Sequence, residues 1–244
     1  HLRNLQEPVE AAFIYPDPSA SPYYLEASRP PKMPSLKRLF GRQRLMISLQ
    51  GQRYLFHPTS FCQVNESAVP GLLDTARGLL QPGQEERLID LYCGFGLFSH
   101  YLAADYRQVT GIEAEKPSVE AARANAKLAS DSAGTHFRQG EITDRNLDKL
   151  LPQPDPQREA IILDPPRQGP KKGVISALCR REPVKVLHIH CNADLLPQSI
   201  REWREGGYRP SRVVPLDMFP GTDGLEVLLL LERGDSGEGS GPGD

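Results

Sequence analysis

Long apolar runs are missing from these 244 residues: no stretch approaches the roughly 18 to 20 consecutive apolar residues that a membrane-spanning helix requires. The N-terminus lacks the basic, apolar and small-residue succession of a secretory signal. The expectation is a cytoplasmic chain with no membrane partner. Cysteine is scarce and scattered: Cys62, Cys93, Cys179 and Cys191 show no CxxC or other metal-ligand spacing, so neither a disulfide framework nor a metal site is expected. Acids are absent between Glu26 and Glu66. That stretch carries Arg29, Lys32, Lys37, Arg38, Arg42, Arg44 and Arg53, although the formal net charge of the whole chain is only -2. Interleaved with Tyr23, Tyr24, Phe40, Tyr54 and Phe56, it has the footprint of a surface meeting a phosphate backbone, with a solvated basic face as the plain alternative. Length and a hydrophobic share of 39% bound the chain to one main domain with a smaller appendage.

Six prolines between residues 11 and 34 exclude a continuous helix there and predict loop or edge structure. Arg44 to Gln50 and Arg53 to His57 flank a Gly51-Gln52 link and predict a hairpin; Glu66 to Leu80 has helical spacing. From Arg87 the pattern alternates. Apolar strands at 87–91, 108–113, 135–138, 159–164, 184–190, 211–216 and 225–232 are separated by helical stretches near 97–104, 116–130, 172–181 and 194–205. This alternation predicts an α/β fold, a parallel sheet covered by helices on both faces. The tail from Gly234 has no apolar residue and is expected to be disordered.

The first of these strands runs through Asp90 into Tyr92-Cys93-Gly94-Phe95-Gly96 and then a helix. Glycines at such a turn bare the backbone and the first helical N–H groups to a ligand, which implies an adenosine-bearing cofactor. Glu113 stands at the tip of the next strand, where a carboxylate can accept from both ribose hydroxyls. NAD stays an alternative, but the third fingerprint position is Ser99 and nothing downstream suggests hydride chemistry. Asp164-Pro165-Pro166-Arg167-Gln168-Gly169 ends the fourth strand; two prolines stiffen the backbone there so that a base edge can meet a fixed carbonyl and carboxylate. Cys191 follows the fifth strand. It shares with Gly94, Glu113 and Asp164 the carboxyl edge at which open α/β sheets bind ligands, while Cys93 and Cys179 read as structural. Glu226 opens the last strand, where burial would favour its neutral form and help it take up a proton; an exposed strand-entry carboxylate is the bland reading.

Together these residues resemble the S-adenosylmethionine-dependent RNA uracil-C5 methyltransferases. Five motifs carry the likeness in order between Phe56 and Arg233: FHPTSFCQVN (56–65), DLYCGFG (90–96), LDPPRQG (163–169), HCN (190–192) and DMFPGTDGLE (217–226). With no cysteine-rich N-terminal cluster and no leading oligonucleotide-binding barrel, the chain looks most like the ribosomal-RNA branch, beginning inside the family's smaller subdomain. The resemblance implies a Rossmann-like class I methyltransferase fold, a seven-stranded, mostly parallel sheet with a small N-terminal β-containing subdomain. On it, residues 1–65 are part of a basic RNA-facing subdomain, 66–233 the methyltransferase domain and 234–244 the tail. It implies S-adenosyl-L-methionine held by Gln63, Tyr92, Gly94, Gly96, Glu113, Glu141 and Asp164, with Asp164 also facing the uracil edge. It implies Cys191 as nucleophile and Glu226 as base, acting as a monomer on RNA, ribosomal RNA ahead of transfer RNA. Four positions depart from the family pattern: Cys62 where an aromatic is common, Leu97 where Asn is frequent, Glu141 for Asp or Asn, and Gly224 where His usually precedes the base by two.

The chemistry fits the residues independently. C5 of uracil is too weak a nucleophile to attack a methyl sulfonium, whereas addition of the Cys191 thiolate at C6 gives an enolate whose C5 is reactive, and Glu226 can then remove the C5 proton. The target uridine must leave its stack to enter such a pocket. Two rivals remain: an RNA cytosine-C5 methyltransferase, which often uses a second cysteine in the site, and a non-catalytic RNA-binding relative, against which the intact Cys191 and Asp164 argue.

Overall fold

The computed structural model describes residues 9–14, 36–63, 65–83, 86–129, 134–222 and 224–234. It divides into two compact units, His1–Leu45 and Met46–Asp244. In the first, β1 (Ala11–Ile14) and β2 (Lys37–Gly41) form an antiparallel ribbon pairing Ala11 with Gly41 and Ile14 with Lys37. Tyr23, Tyr24, Arg29, Lys32 and the tail from Asp235 lie outside the described residues.

A hairpin of β3 (Leu45–Leu49) and β4 (Gln52–Phe56) begins at the boundary. Its turn sits at Gln50-Gly51, one residue earlier than the sequence suggests; both have positive φ (48° and 77°), the conformation of a two-residue turn that matches strand twist. The two units part between Leu45 and Met46, within β3, and Ile47, Leu49 and Tyr54 are buried in one core with Leu72 and Leu73 of α1 (Val69–Leu80). Asn125 fastens β4 as well: its carboxamide accepts from the Leu55 N–H (2.7 Å) and donates to the Leu55 and Phe95 carbonyls (2.9 and 3.1 Å).

The central sheet comprises β5 (Arg87–Leu91), β6 (Gln108–Glu113), β7 (Thr135–Gln139), β8 (Glu159–Leu163), β9 (Lys185–His190), β10 (Tyr208–Leu216) and β11 (Glu226–Arg233) in the order β10-β11-β9-β8-β5-β6-β7. β5 to β9 run parallel; β11 is antiparallel to both neighbours. Alternate strand residues feed two cores. Leu88, Ile162, Leu187 and Leu228 face one with α1, and Ile89, Ile161, Val186 and Leu229 face the other with α5 (Val174–Cys179) and Trp203 of α6 (Leu196–Glu205). That double burial explains the near-continuous apolar strands. The remaining helices are α2 (Leu97–Tyr101), α3 (Lys116–Leu128) and the unanticipated single turn α4 (Leu147–Leu150). From β5 the chain first builds outward through β6 and β7, then returns to place β8 on the other side. The switch between β5 and β8 is the point at which such sheets open a crevice beyond their carboxyl ends. Among the described residues no helix is long and apolar enough to cross a membrane.

Candidate active site

The glycine turn occupies one side of that switch. Beyond Leu91 the chain takes positive φ at Tyr92 (64°), Gly94 (54°) and Gly96 (88°). A Cβ on Gly96 would come within 2.7 Å of His100 and 2.9 Å of the Phe137 ring, whereas one on Gly94 would meet nothing within 4 Å. Gly96 is therefore required by packing, and Gly94 leaves a stretch of backbone bare. Since β6 pairs Ile112 with Leu91, Glu113 arrives beside the turn. Its carboxylate accepts from the Gly94 N–H (3.1 Å) and the Glu115 N–H (2.8 Å). Asp90 lies beneath, fully buried, accepting from the Ser99 N–H (3.0 Å) and hydroxyl (2.6 Å); burial raises its pKa to about 7 against those bonds. Ser99 thus fills the third fingerprint position for a reason glycine could not supply. The Tyr92 phenol is pushed up to about 12 by burial and then by Glu113, and its hydroxyl meets the backbone of Lys171. Glu141 pairs with the Lys171 ammonium. Tyr92, Gly94, Glu113 and Glu141 therefore form one cluster. A bare turn with a carboxylate fixed on it suits the ribose of an adenosine-bearing ligand.

Across the switch, Asp164 follows β8, its backbone N–H donating to the Leu91 carbonyl (3.3 Å). Cys191 follows β9 and is half-buried. β11 meets β9 with Val227 opposite His190, so the next rung sets Glu226 against Cys191. Glu226 is only 4% exposed, which removes the bland reading of an exposed strand-entry carboxylate. Its Oε2 has no hydrogen-bond partner among the described residues, and burial lifts its pKa to about 7 while Arg167 pulls the other way. Asp164 is held well above the usual carboxylate range by burial, then by Glu226 and Asp90. The Cys191 thiol is pushed up to about 11 by burial, Glu226 and Asp164, with Arg167 opposing. A thiol, two carboxyls and one guanidinium thus act on one another at the carboxyl edge.

The 56–65 motif is held at both ends. The Ser60 and Ser118 hydroxyls share a hydrogen bond (2.7 Å) at the start of α3, and Asn65 donates to the Met218 carbonyl (3.2 Å) in the loop leading to Glu226. Gln63 lies half-buried between these tethers.

Three groups escaped the sequence reading. Arg167 carries no role in the sequence pattern; an Arg directly after the Pro165-Pro166 pair at the carboxyl edge is the available signal. Asp90 likewise passed as a strand residue. Asn125 had no signal, because its partners Leu55 and Phe95 are distant in sequence. One expectation is corrected: Tyr54 and Phe56, read as part of an RNA-facing surface, pack edge-on or tilted against Phe95 (both 6.1 Å between centroids), with Tyr54 only 3% exposed. Alternation along β4 turns them inward while Arg53 stays exposed. His188 and His190 stack at 3.8 Å, and the Trp203 indole donates to His188 (3.2 Å). Burial keeps both imidazoles neutral.

Residues 28–234 match the sequence profile of the tRNA (uracil-5-)-methyltransferases. An RNA methyltransferase of uncharacterized function from Thermosynechococcus vestitus is 34% identical over 194 residues, 79% of this chain and 42% of its own length. Another from Chlamydia trachomatis is 32% identical over 214 residues, 86% of this chain and 52% of its own. Among solved structures, the Pyrococcus abyssi tRNA (uracil-54, C5)-methyltransferase in complex with S-adenosyl-L-homocysteine superposes with a TM-score of 0.67 at 26% identity, covering 84% of this chain and 49% of that one. The chain thus spans about half the length of the relatives it matches. With the glycine turn, the Asp164 loop and the Cys191–Glu226 pair all on one sheet edge, this chain belongs to the tRNA (uracil-5-)-methyltransferase family.

Proposed function

We propose that this chain is the methyltransferase part of an RNA uracil-C5 methyltransferase, transferring a methyl group from S-adenosyl-L-methionine to a uridine held against Cys191. The register of β11 on β9 carries the reading, because it brings a buried carboxylate with an unpartnered oxygen beside a thiol at a ligand-binding edge. When bound, S-adenosyl-L-methionine supplies an electrophilic methyl group. Gly94, Gly96, Glu113, Tyr92 and Glu141 would hold its adenosyl end, and Gln63 and Asp164 the remainder.

The chain's own residues then have separable tasks. Cys191 adds through sulfur to C6, the C5–C6 π pair moves into an enolate, and the thiol proton leaves to a nearby carboxylate or solvent. Arg167 opposes the negative charge that develops on sulfur. Asp164, whose carboxyl burial shifts toward its protonated form, can donate to or accept from the uracil edge. Once C5 carries its new carbon, Glu226 takes the C5 proton, the C6–S bond breaks and the thiolate departs. The motif likeness favours ribosomal RNA. Transfer RNA is the second reading, favoured by the substrate of the Pyrococcus abyssi relative.

Trapping separates the two catalytic residues. Cys191→Ala should abolish methylation and any covalent RNA complex, whereas Glu226→Gln should leave methylated RNA bonded to Cys191, visible as a slow band on a denaturing gel. Normal turnover by Glu226→Gln without an adduct would assign the base elsewhere. Mass spectrometry of ribosomal and transfer RNA from cells with and without the gene identifies the target, and 5-methylcytidine in its place would favour the cytosine rival.

A further inference from the structure

The loops that follow β7 and β8 meet across the cofactor turn. In the sheet these two strands are separated by β6 and β5, so at about 4.8 Å per strand step their ends start roughly 14 Å apart. Glu113 ends β6 and Gly94 follows β5, and whatever joins the outer two loops passes across both. Two contacts join them. A Cβ on Gly173 would lie 3.2 Å from the Asp144 side chain, and the Lys171 ammonium donates to Oε1 of Glu141. The root of Lys171 is fixed: its carbonyl accepts from the Val174 N–H (3.1 Å), the Gly169 N–H closes a turn onto the Pro166 carbonyl (2.7 Å), and the Tyr92 phenol meets the Lys171 backbone. The root of Glu141 is fixed as well. Gly140 donates its N–H to the Glu113 carbonyl (2.9 Å), and a Cβ there would lie 2.4 Å from the Leu150 side chain. What stays free to turn is the exposed Glu141 side chain, which has one more rotatable bond than the Asp or Asn usual at this place. Freezing such a chain on a ligand costs side-chain entropy. Lys171 engages one carboxylate oxygen and leaves Oε2 without a hydrogen bond to any described residue.

We infer that Lys171 is a positioning residue for the cofactor, pinning Glu141 across the glycine turn so that its second carboxylate oxygen accepts from the adenine amino group. The inference rests on the reading above that puts Glu141 at the adenosyl end. With Glu113 committed to the ribose, the amino group is the donor that the adenosyl moiety has left, and a carboxylate can only accept. An exposed ion pair adds little to stability, so its use lies in holding the carboxylate ready before the ligand arrives.

The test is calorimetry without RNA, using S-adenosyl-L-homocysteine and S-inosyl-L-homocysteine, in which a carbonyl replaces the amino group. Lys171→Met should bind the adenosyl compound about fivefold more weakly than the parent, while Lys171→Arg, which keeps the charge, and Lys172→Met, which removes a neighbouring one, should bind it as the parent does. The parent should prefer the adenosyl to the inosyl compound by about fivefold or more, and Lys171→Met should lose most of that preference. Lys171→Met/Glu141→Gln should bind no more weakly than Glu141→Gln alone. Unchanged affinity of Lys171→Met, an equal loss in Lys172→Met, or losses that add in the double variant would overturn the proposal. If Glu113→Ala and Glu141→Gln weaken binding and Lys171→Met does not, the cofactor site stands and the role of Lys171 falls. Methyl transfer is not part of the readout, so a chain that shows this pattern and methylates no RNA counts against the proposed function alone.

Discussion

Glu226 combines two demands that conflict. To accept a proton it must be ionised, yet burial holds its pKa near 7. Breakdown of the methylated adduct should therefore rise about tenfold per pH unit up to about 7 and then level off, a profile that rapid-quench measurements of released methylated RNA can trace. The same shift costs stability. The folded state favours the protonated carboxyl, so this group's contribution is full below its ordinary value of 4.5 and is lost as pH rises through about 7. Glu226→Gln should therefore be more stable than the parent at about pH 8, by at most about 3 kcal/mol, with the gain vanishing near pH 4 in urea melts. Glu113 is fixed by two backbone N–H groups. Glu113→Ala should weaken S-adenosylmethionine binding by about tenfold or more in calorimetry, the loss of one or two charge-assisted hydrogen bonds of roughly 1.5–3 kcal/mol each. Unchanged affinity would remove the ribose role.

The elements most legible in the sequence were those with one dominant cause. β5, β6, β8 and β9 are legible as short apolar runs between helices, and α3 from its helical spacing. Cys191 and Asp164 followed from strand ends alone. The less legible features depend on contacts between distant segments: α4 is one turn, the β1–β2 ribbon joins Ala11 to Gly41, and Tyr54 turns inward only because Phe95 and Asn125 wait there. The glycine turn offers an element-scale test of the two glycines that one motif makes look equivalent. Gly96→Ala should cost about 2–3 kcal/mol, since it adds a clash with His100 and Phe137 to left-handed strain; Gly94→Ala should cost only about 1 kcal/mol in stability and act chiefly on cofactor affinity. Paired thermal melts and cofactor titrations decide whether the two separate.

For the molecule as a whole, charge placement matters more than net charge. The basic segment divides between the units: Lys37 and Arg38 lie on β2 and Arg42 and Arg44 just beyond it, while Arg53 belongs to the larger unit. If the ribbon holds RNA, Arg38→Gln/Arg42→Gln/Arg44→Gln should flatten the salt dependence of binding by about one unit per lost phosphate contact and leave cofactor binding intact. An unaltered slope would mark the ribbon as a solvated face.

The antiparallel strand at the centre of the site has an uncommon weakness. Alternation between wet and dry faces normally locks a strand's frame, but Val227–Leu231 is apolar on both sides, with Leu228 and Leu230 in one core and Leu229 and Leu231 in the other. A slip of one rung would trade leucine for leucine at little cost to either core. Only the polar ends mark the frame: Glu226 inside, Glu232 and Arg233 outside. Deleting one leucine from this run should therefore give a chain that still folds and binds cofactor, yet presents Glu226 to the wrong side of the sheet.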